Sequence, residues 1–292
     1  MSVIGSWIEA MRLRTLPVSV AGVFAALGFN IVEHSFRWAP AALCLLFAVL
    51  CQIASNFANE YYDFKAGRDK AGREGPRRGV TEGDITPQAM LHAIVGTLVA
   101  AAAVGLSLTY WGGLWLIIPG VLIGLGVLAY STGPYPLSTH CLGEMAVFCF
   151  FGLVPVTLTY YVVSGGHISM SVFLASCAVG LMGANVLIVN NTRDISDDRA
   201  AGKHTLATAF GVKAMAILYT VNALVAVWLT LSLWSKGSDF WLLVPGIYAG
   251  LSISLAFRLT RLKGHCLTPL LGITSVLMLA YTVAMLVRLA VW

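Results

Sequence analysis

Asn56–Gly79 reads NFANEYYDFKAGRDKAGREGPRRG. It is an island of charge in a very apolar chain. Asn56, Asn59, Glu60 and Asp63 fall at i, i+3, i+4 and i+7, one face of a helix. Gly67 breaks that helix within a basic run of Lys65, Arg68, Lys70, Arg73, Arg77 and Arg78. Carboxylates and amides at a helix end, beside clustered cations, suit a divalent metal holding a phosphate group. The same stretch also reads as an ordinary cytoplasmic loop whose Lys and Arg set topology.

The surroundings decide the fold class. The chain is 58% hydrophobic and only 11% charged, with mean hydropathy +0.83, whereas soluble domains carry roughly 25% charged residues. These values exclude a water-soluble fold and indicate a polytopic, all-α integral membrane protein, a single domain over residues 1–292. Met1–Arg14 lacks the short apolar core and small-residue cleavage site of a secretory signal. A bilayer core needs about 20 apolar residues per helix. Nine spans are predicted, at about 15–32, 39–59, 89–110, 113–130, 142–163, 169–191, 214–234, 240–257 and 268–290. None of the six cysteines forms a C-x-x-C pair, and most sit in apolar runs as small hydrophobes.

Nine spans put the termini on opposite faces. All of the 18 Lys and Arg except Arg37, Lys236 and Arg288 then fall on one face, with the N-terminus and the loops at about 60–88 and 192–213. The positive-inside rule makes that face cytoplasmic, which places the chain in a bacterial inner membrane with its C-terminus outside. Basic residues flanking bilayer spans argue against nucleic acid as a partner.

The pattern also repeats. Asn56-x2-Asn59-x3-Asp63-x3-Gly67 matches Asn191-x2-Asp194-x3-Asp198-x3-Gly202, and both run from the end of a span into a loop on the same face. The second segment, Asn190–Leu206, reads NNTRDISDDRAAGKHTL. Asn190, Asn191, Asp194 and Asp198 share a face with Asp197 beside them. Two such charges at 4 Å repel by about 4 kcal/mol at an effective dielectric of 20. Mg²⁺ with substrate phosphate would offset this; pairing with Arg193, Arg199 and Lys203 is the alternative.

Together the two segments resemble the paired aspartate-rich motifs of the UbiA superfamily of intramembrane prenyltransferases, and within it those acting on 1,4-dihydroxy-2-naphthoate in menaquinone synthesis. Gly75-Pro76-x-Arg78-Gly79, Tyr130-x2-Gly133-Pro134-x-Pro136-Leu137, Leu142-Gly143-Glu144 and Arg12-x2-Thr15-Leu16-Pro17 extend the likeness from residue 12 to about 211. There are two departures. Glu60 stands where the family usually has Asp, and Gly67 where relatives with other acceptors often have a further Asp.

The resemblance implies nine helices around a central cavity open sideways to lipid. It implies Mg²⁺-dependent transfer of a polyprenyl chain from its diphosphate to dihydroxynaphthoate, with loss of CO₂, giving demethylmenaquinone. Asn59, Asp63, Asp194 and Asp198 would hold the metal, with Glu60 a further candidate. Lys65, Arg68, Arg77, Arg78, Asn191, Arg193 and Lys203 are candidates for the diphosphate. Asn56, Tyr62, Tyr130, Tyr135, Glu144 and Arg12 are candidates for the aromatic acceptor and prenyl chain, although interfacial anchoring also accounts for the tyrosines and Arg12. Gln52, Asn56 and Asn185 either face a cavity or bond between helices.

Three competing readings remain. Another aromatic acceptor, such as 4-hydroxybenzoate, would use the same site. A phosphatidyl-alcohol transferase would carry D-G-x2-A-R, which is absent. A transporter would place its acids near the midplane, whereas these lie at helix ends.

Overall fold

A computed structural model describes residues 2–69, 77–235 and 238–292. Every named element in it is helical, and the one β-type pairing is the isolated bridge between His140 and His204. A short helix, α1 (Val3–Ala10), precedes α2 (Leu16–Val32), α3 (Trp38–Lys65), α4 (Pro87–Gly112) and α5 (Ile117–Ala129). Next come α6 (Gly143–Val147), a π-helical turn (Phe148–Leu153) and α7 (Val154–Ser164), which form one continuous column. The chain ends with α8 (Met170–Arg193), α9 (Ile195–Ala200), α10 (Leu206–Trp234), α11 (Leu243–Arg261) and α12 (Thr268–Ala290).

Among the described residues, eight helical stretches are long and apolar enough to cross a bilayer. The fourth predicted span differs: Leu114–Ala129 is apolar but shorter than the others. Gly113, at φ +88°, ends α4 and delays the start of this helix. The second of two turns sits inside α10, where Gly211 (φ +78°) interrupts the helix. The predicted span begins at about residue 214, just past Lys213, whereas the helix starts at Leu206.

Local chemistry sets the remaining ends. The Thr86 and Ser169 hydroxyls accept from the N–H groups of Ala89 and Val172, and Thr205 forms a reciprocal box with Thr208. Pro119 and Pro245 each lie in the first turn of an α-helix, where N–H groups have no α-helical partner to lose. Pro155 lies inside the Gly143–Ser164 column, just past the π-helical turn, and removes one backbone donor from it.

The core is held by close crossings and a few buried polar bonds. A Cβ on Gly152 would lie 2.3 Å from the Gly180 Cα, so the π-turn and α8 touch backbone to backbone. Asn185 is an interhelical tie: its Nδ2 donates to the Tyr219 carbonyl, and its Oδ1 accepts from Asn222. The main apolar cluster joins α2, α8, α10, α11 and α12. The last three spans therefore form the closed back of the bundle. All six cysteines are free thiols.

The front is open. A cavity of about 700 Å³ lies among α2, α3, α4, α5, α7 and α8. Its walls include Leu106, Ile117, Val121 and Leu125, which are also exposed on the outer surface. The cavity therefore reaches the lipid-facing side between α4 and α5, as the resemblance implies.

Candidate active site

The first motif occupies the last three turns of α3. Ala66 and Gly67 (φ +65°) end that helix, with Gly67 N–H on the Phe64 carbonyl and Arg68 N–H on the Asp63 carbonyl. Asn56, Glu60 and Asp63 are buried beneath the loop that follows. Asn56 is tied at both ends: Nδ2 donates to the Met11 carbonyl (2.9 Å) and Oδ1 accepts from Gln52 (3.3 Å). Asn59 Oδ1 accepts from Arg12 (2.7 Å) and from Arg78 (3.0 Å), while its Nδ2 donates to Ser131 (3.2 Å). Glu60 accepts the Val80 N–H at 3.0 Å and so clasps the returning loop. That loop carries Arg78, 4% exposed, with its Nε 3.2 Å from Asp69 and its Nη atoms 3.9 Å from Glu60 and Asp63.

The second motif is built from a break. At Asp194 the backbone leaves α8 (φ −88°, ψ 8°), and α9 carries Asp198 onward to Gly202 (φ +67°). Arg193 grips Asp194 with two hydrogen bonds (2.7 and 2.9 Å) and also reaches Asn190 Oδ1 (2.9 Å). The Cys141 N–H donates to the His204 carbonyl, and the His204 N–H to that of Thr139. These two bonds dock the 139–141 segment on the loop after α9.

Lys203 joins the motifs. Its Nζ lies 2.8 Å from Asp63 Oδ2 and 3.9 Å from Asp198 Oδ1. Lys203 and Asp63 are 140 residues apart in sequence, and through them the two acidic patches meet at one end of the cavity.

Of the predicted site residues, Arg12, Asn56, Asn59, Arg78, Tyr130, Asn191, Arg193, Asp194, Asp198 and Lys203 line the cavity. Asp63 is buried directly behind Lys203, and Arg68 Nη1 flanks it at 3.6 Å. Glu144 is buried one layer back, accepting from Asn191 Nδ2 at 2.9 Å.

The other predicted residues are placed as follows. Asn59 Oδ1 accepts from two guanidinium groups, and Glu60 accepts the Val80 N–H and stands near Arg78. Arg77 turns away to pair with Asp84 and Glu82. Arg77, followed by the Ser6 hydroxyl, holds the Asp84 carboxyl below the usual range. Lys65 is solvent-exposed at the end of α3. Tyr62 packs on Tyr61 in the cluster beneath α4, and Tyr135 is exposed and stacked on His140. Arg12, also read as a membrane anchor, belongs to the site because a left-handed turn (φ 52°) between α1 and α2 aims it at Asn59. Lys70, Arg73, Gly75 and Pro76 lie outside the described residues.

Tyr130 is the one predicted aromatic at the cavity. Burial, with the Glu144 carboxylate next, raises its hydroxyl pKa, so it stays a neutral ring. Ser131, which the sequence reading missed, holds Asn59 and gave no signal beyond following Tyr130.

The acidic residues fit Mg²⁺. Among the described residues Asp63 Oδ1 is buried with no hydrogen-bond donor, and a cation, the Lys203 ammonium, already bridges carboxylates from both motifs. Among the described residues no three His, Cys, Asp or Glu side chains could hold an ion unaided. Mg²⁺ commonly uses one or two carboxylates and completes its shell with water and substrate phosphate.

Comparison with known proteins agrees with this geometry. The sequence profile of the UbiA prenyltransferase family matches residues 16–268. The chain belongs to the UbiA prenyltransferase family. The 1,4-dihydroxy-2-naphthoate octaprenyltransferase of Mycobacterium tuberculosis is 34% identical over 99% of this chain and 98% of its own length. The Haemophilus influenzae enzyme of the same name is also 34% identical, over 70% of this chain and 69% of its own. A UbiA homologue from Archaeoglobus fulgidus, solved with DMAPP and Mg²⁺, superposes with a TM-score of 0.69, covering 97% of this chain and 99% of that one at 16% identity. This chain thus has the UbiA helical fold and is an integral membrane protein.

Proposed function

We propose that this protein transfers a polyprenyl group from its diphosphate to 1,4-dihydroxy-2-naphthoate with loss of CO₂, giving the reduced, dihydroxy form of demethylmenaquinone. The observation that carries the reading is the meeting of Asp63, Asp198 and Lys203 at the polar end of a cavity whose remaining walls are apolar. The acceptor follows from the full-length relative named for it.

Asp63, Asp194 and Asp198 would hold Mg²⁺, which supplies Lewis-acid neutralisation of the departing diphosphate. Lys203 and Arg193, now on carboxylates, are free to turn to phosphate oxygens once a divalent cation takes their place. Arg78 and Arg12, set side by side on Asn59, add two more cations at the same mouth. The allylic C–O bond breaks with its electron pair leaving on the diphosphate. The dry walls, including Phe150, Phe151 and Leu158, keep water from the cation, and Tyr130 offers it an aromatic face. The acceptor ring then forms the new C–C bond. As CO₂ departs, the pair from its C–C bond restores the aromatic ring. The site opens to the cytoplasm of a bacterial inner membrane, with the C-terminus on the other side.

The test supplies purified protein in lipid nanodiscs with Mg²⁺, labelled polyprenyl diphosphate and a panel of aromatic acids. Prenylated product and CO₂ from dihydroxynaphthoate are expected. Preferential turnover of 4-hydroxybenzoate without CO₂ release overturns the acceptor.

A further inference from the structure

Asn56 and Asn191 occupy the same position in the two motifs but are bonded differently. Asn56 uses both ends of its amide within the protein, the nitrogen on the Met11 carbonyl and the oxygen on Gln52. Asn191 uses one. Its Nδ2 donates to Glu144 Oε1 at 2.9 Å, and among the described residues it makes no other hydrogen bond. The side chain lines the cavity, so the oxygen is the end it presents there.

Glu144 decides that orientation. A carboxylate oxygen accepts hydrogen bonds, so it receives the amide nitrogen and would repel the amide oxygen. The residue is 7% exposed, at the start of α6, and among the described residues its Oε2 has no hydrogen-bond partner. A buried acid with an unpartnered oxygen is costly in a membrane protein, and its one side-chain bond is spent on Asn191.

We infer that Glu144 is a positioning residue that fixes the Asn191 amide with its oxygen toward the cavity, as a ligand for the divalent cation that accompanies the diphosphate. This rests on the metal–diphosphate reading above. It moves Asn191 out of the phosphate-binding set, because an amide oxygen and a phosphate oxygen are both acceptors and repel. A hard cation is its fitting partner. Asn191 stands three and seven residues before Asp194 and Asp198, which line the same cavity. Outer partners of metal ligands act in this way, by setting ring or amide orientation.

The test measures Mn²⁺ binding by EPR, in nanodiscs, with a non-ionising prenyl thiolodiphosphate present. Glu144→Ala is expected to weaken Mn²⁺ by about 10–100-fold. Glu144→Gln keeps an acceptor oxygen and should bind close to wild type. In an Asn191→Ala background the Glu144→Ala change should add nothing, since its effect passes through that amide. Thermal melting of all variants checks that they fold. Unchanged Mn²⁺ affinity in Glu144→Ala, additive losses in the double variant, or a change confined to the KM of the aromatic acceptor would each overturn the assignment. Absence of Mn²⁺ binding by wild type would instead sink the metal–diphosphate reading, and this inference with it.

Discussion

At Asp63 and at Asp198 the chain leaves its helix through the same bonds. In each case a glycine four residues on takes a left-handed turn, φ +65° at Gly67 and +67° at Gly202. In each case the next residue, Arg68 or Lys203, returns its N–H to the aspartate carbonyl. The side chains then part company. The first motif spends Asn56, Asn59 and Glu60 on scaffolding, holding Met11, two arginines and the Val80 backbone. The second keeps its acids at the cavity wall and covers them with its own cations, Arg193 on Asp194 and Lys203 reaching over to Asp63. One spacing thus builds two devices. The first assembles Arg12 and Arg78 on Asn59 beside the buried Glu60 and Asp63, and the second carries exchangeable ion pairs.

The largest expected effect follows from removing an acid from either motif. Asp63→Ala or Asp194→Ala should lower turnover by at least about 10²–10³-fold, the scale on which single electrostatic groups act in transition states. Membrane insertion and helicity by circular dichroism should stay near wild type. A double Asp63→Ala, Asp194→Ala variant that still transfers prenyl groups would break the comparison outright.

A smaller effect, opposite in sign for two ligands, sharpens it. Mg²⁺ alone must displace Lys203 from Asp63 and leave a buried ammonium without a partner, whereas Mg²⁺ with diphosphate gives each charge a new one. Metal and diphosphate should therefore bind wild type more tightly together than separately. Lys203→Met leaves Asp63 and Asp198 without their shared cation. We expect it to strengthen Mn²⁺ binding in the absence of diphosphate and to weaken binding of the thiolodiphosphate by roughly 10-fold, the value of a hydrogen bond to a charged group. Calorimetry on both ligands reads the two changes; losses in both would show that Lys203 is structural.

Much of this was legible from residues alone. The paired motifs, the span order and the shared face follow from periodicity and charge, because helices at 3.6 residues per turn and bilayer thickness leave few options. Individual partners did not. Asn59 and Glu60 have the right chemistry for a metal, yet Arg12 from before α2 and the Val80 N–H from after α3 claim them first. Those claims depend on a left-handed turn at Arg12 and on the path of a loop, and neither leaves a pattern in spacing. The tyrosines separate for a related reason. Tyr62, Tyr130 and Tyr135 all lie near cytoplasmic ends of spans, and the helix face alone decides that only Tyr130 meets the cavity. The joint at Gly112–Gly113 was legible as the turn between the third and fourth spans, and Gly113 ends α4 there.

The smallest effect tests whether the two helix endings are equivalent. A Cβ added at Gly67 or at Gly202 would meet nothing within 4 Å, so crowding plays no part and the cost is that of the left-handed backbone alone. For an L residue it is about 1–2 kcal/mol. Gly67→Ala and Gly202→Ala should therefore lower thermal stability by similar small amounts, read as melting in one detergent. Gly202→Ala carries a second consequence, because the following residue is Lys203, whose ammonium spans to Asp63. Turnover should fall more for Gly202→Ala than for Gly67→Ala at matched stability. Equal losses of activity would mean that Lys203 tolerates movement of its backbone, and that the asymmetry between the motifs lies only in their acids.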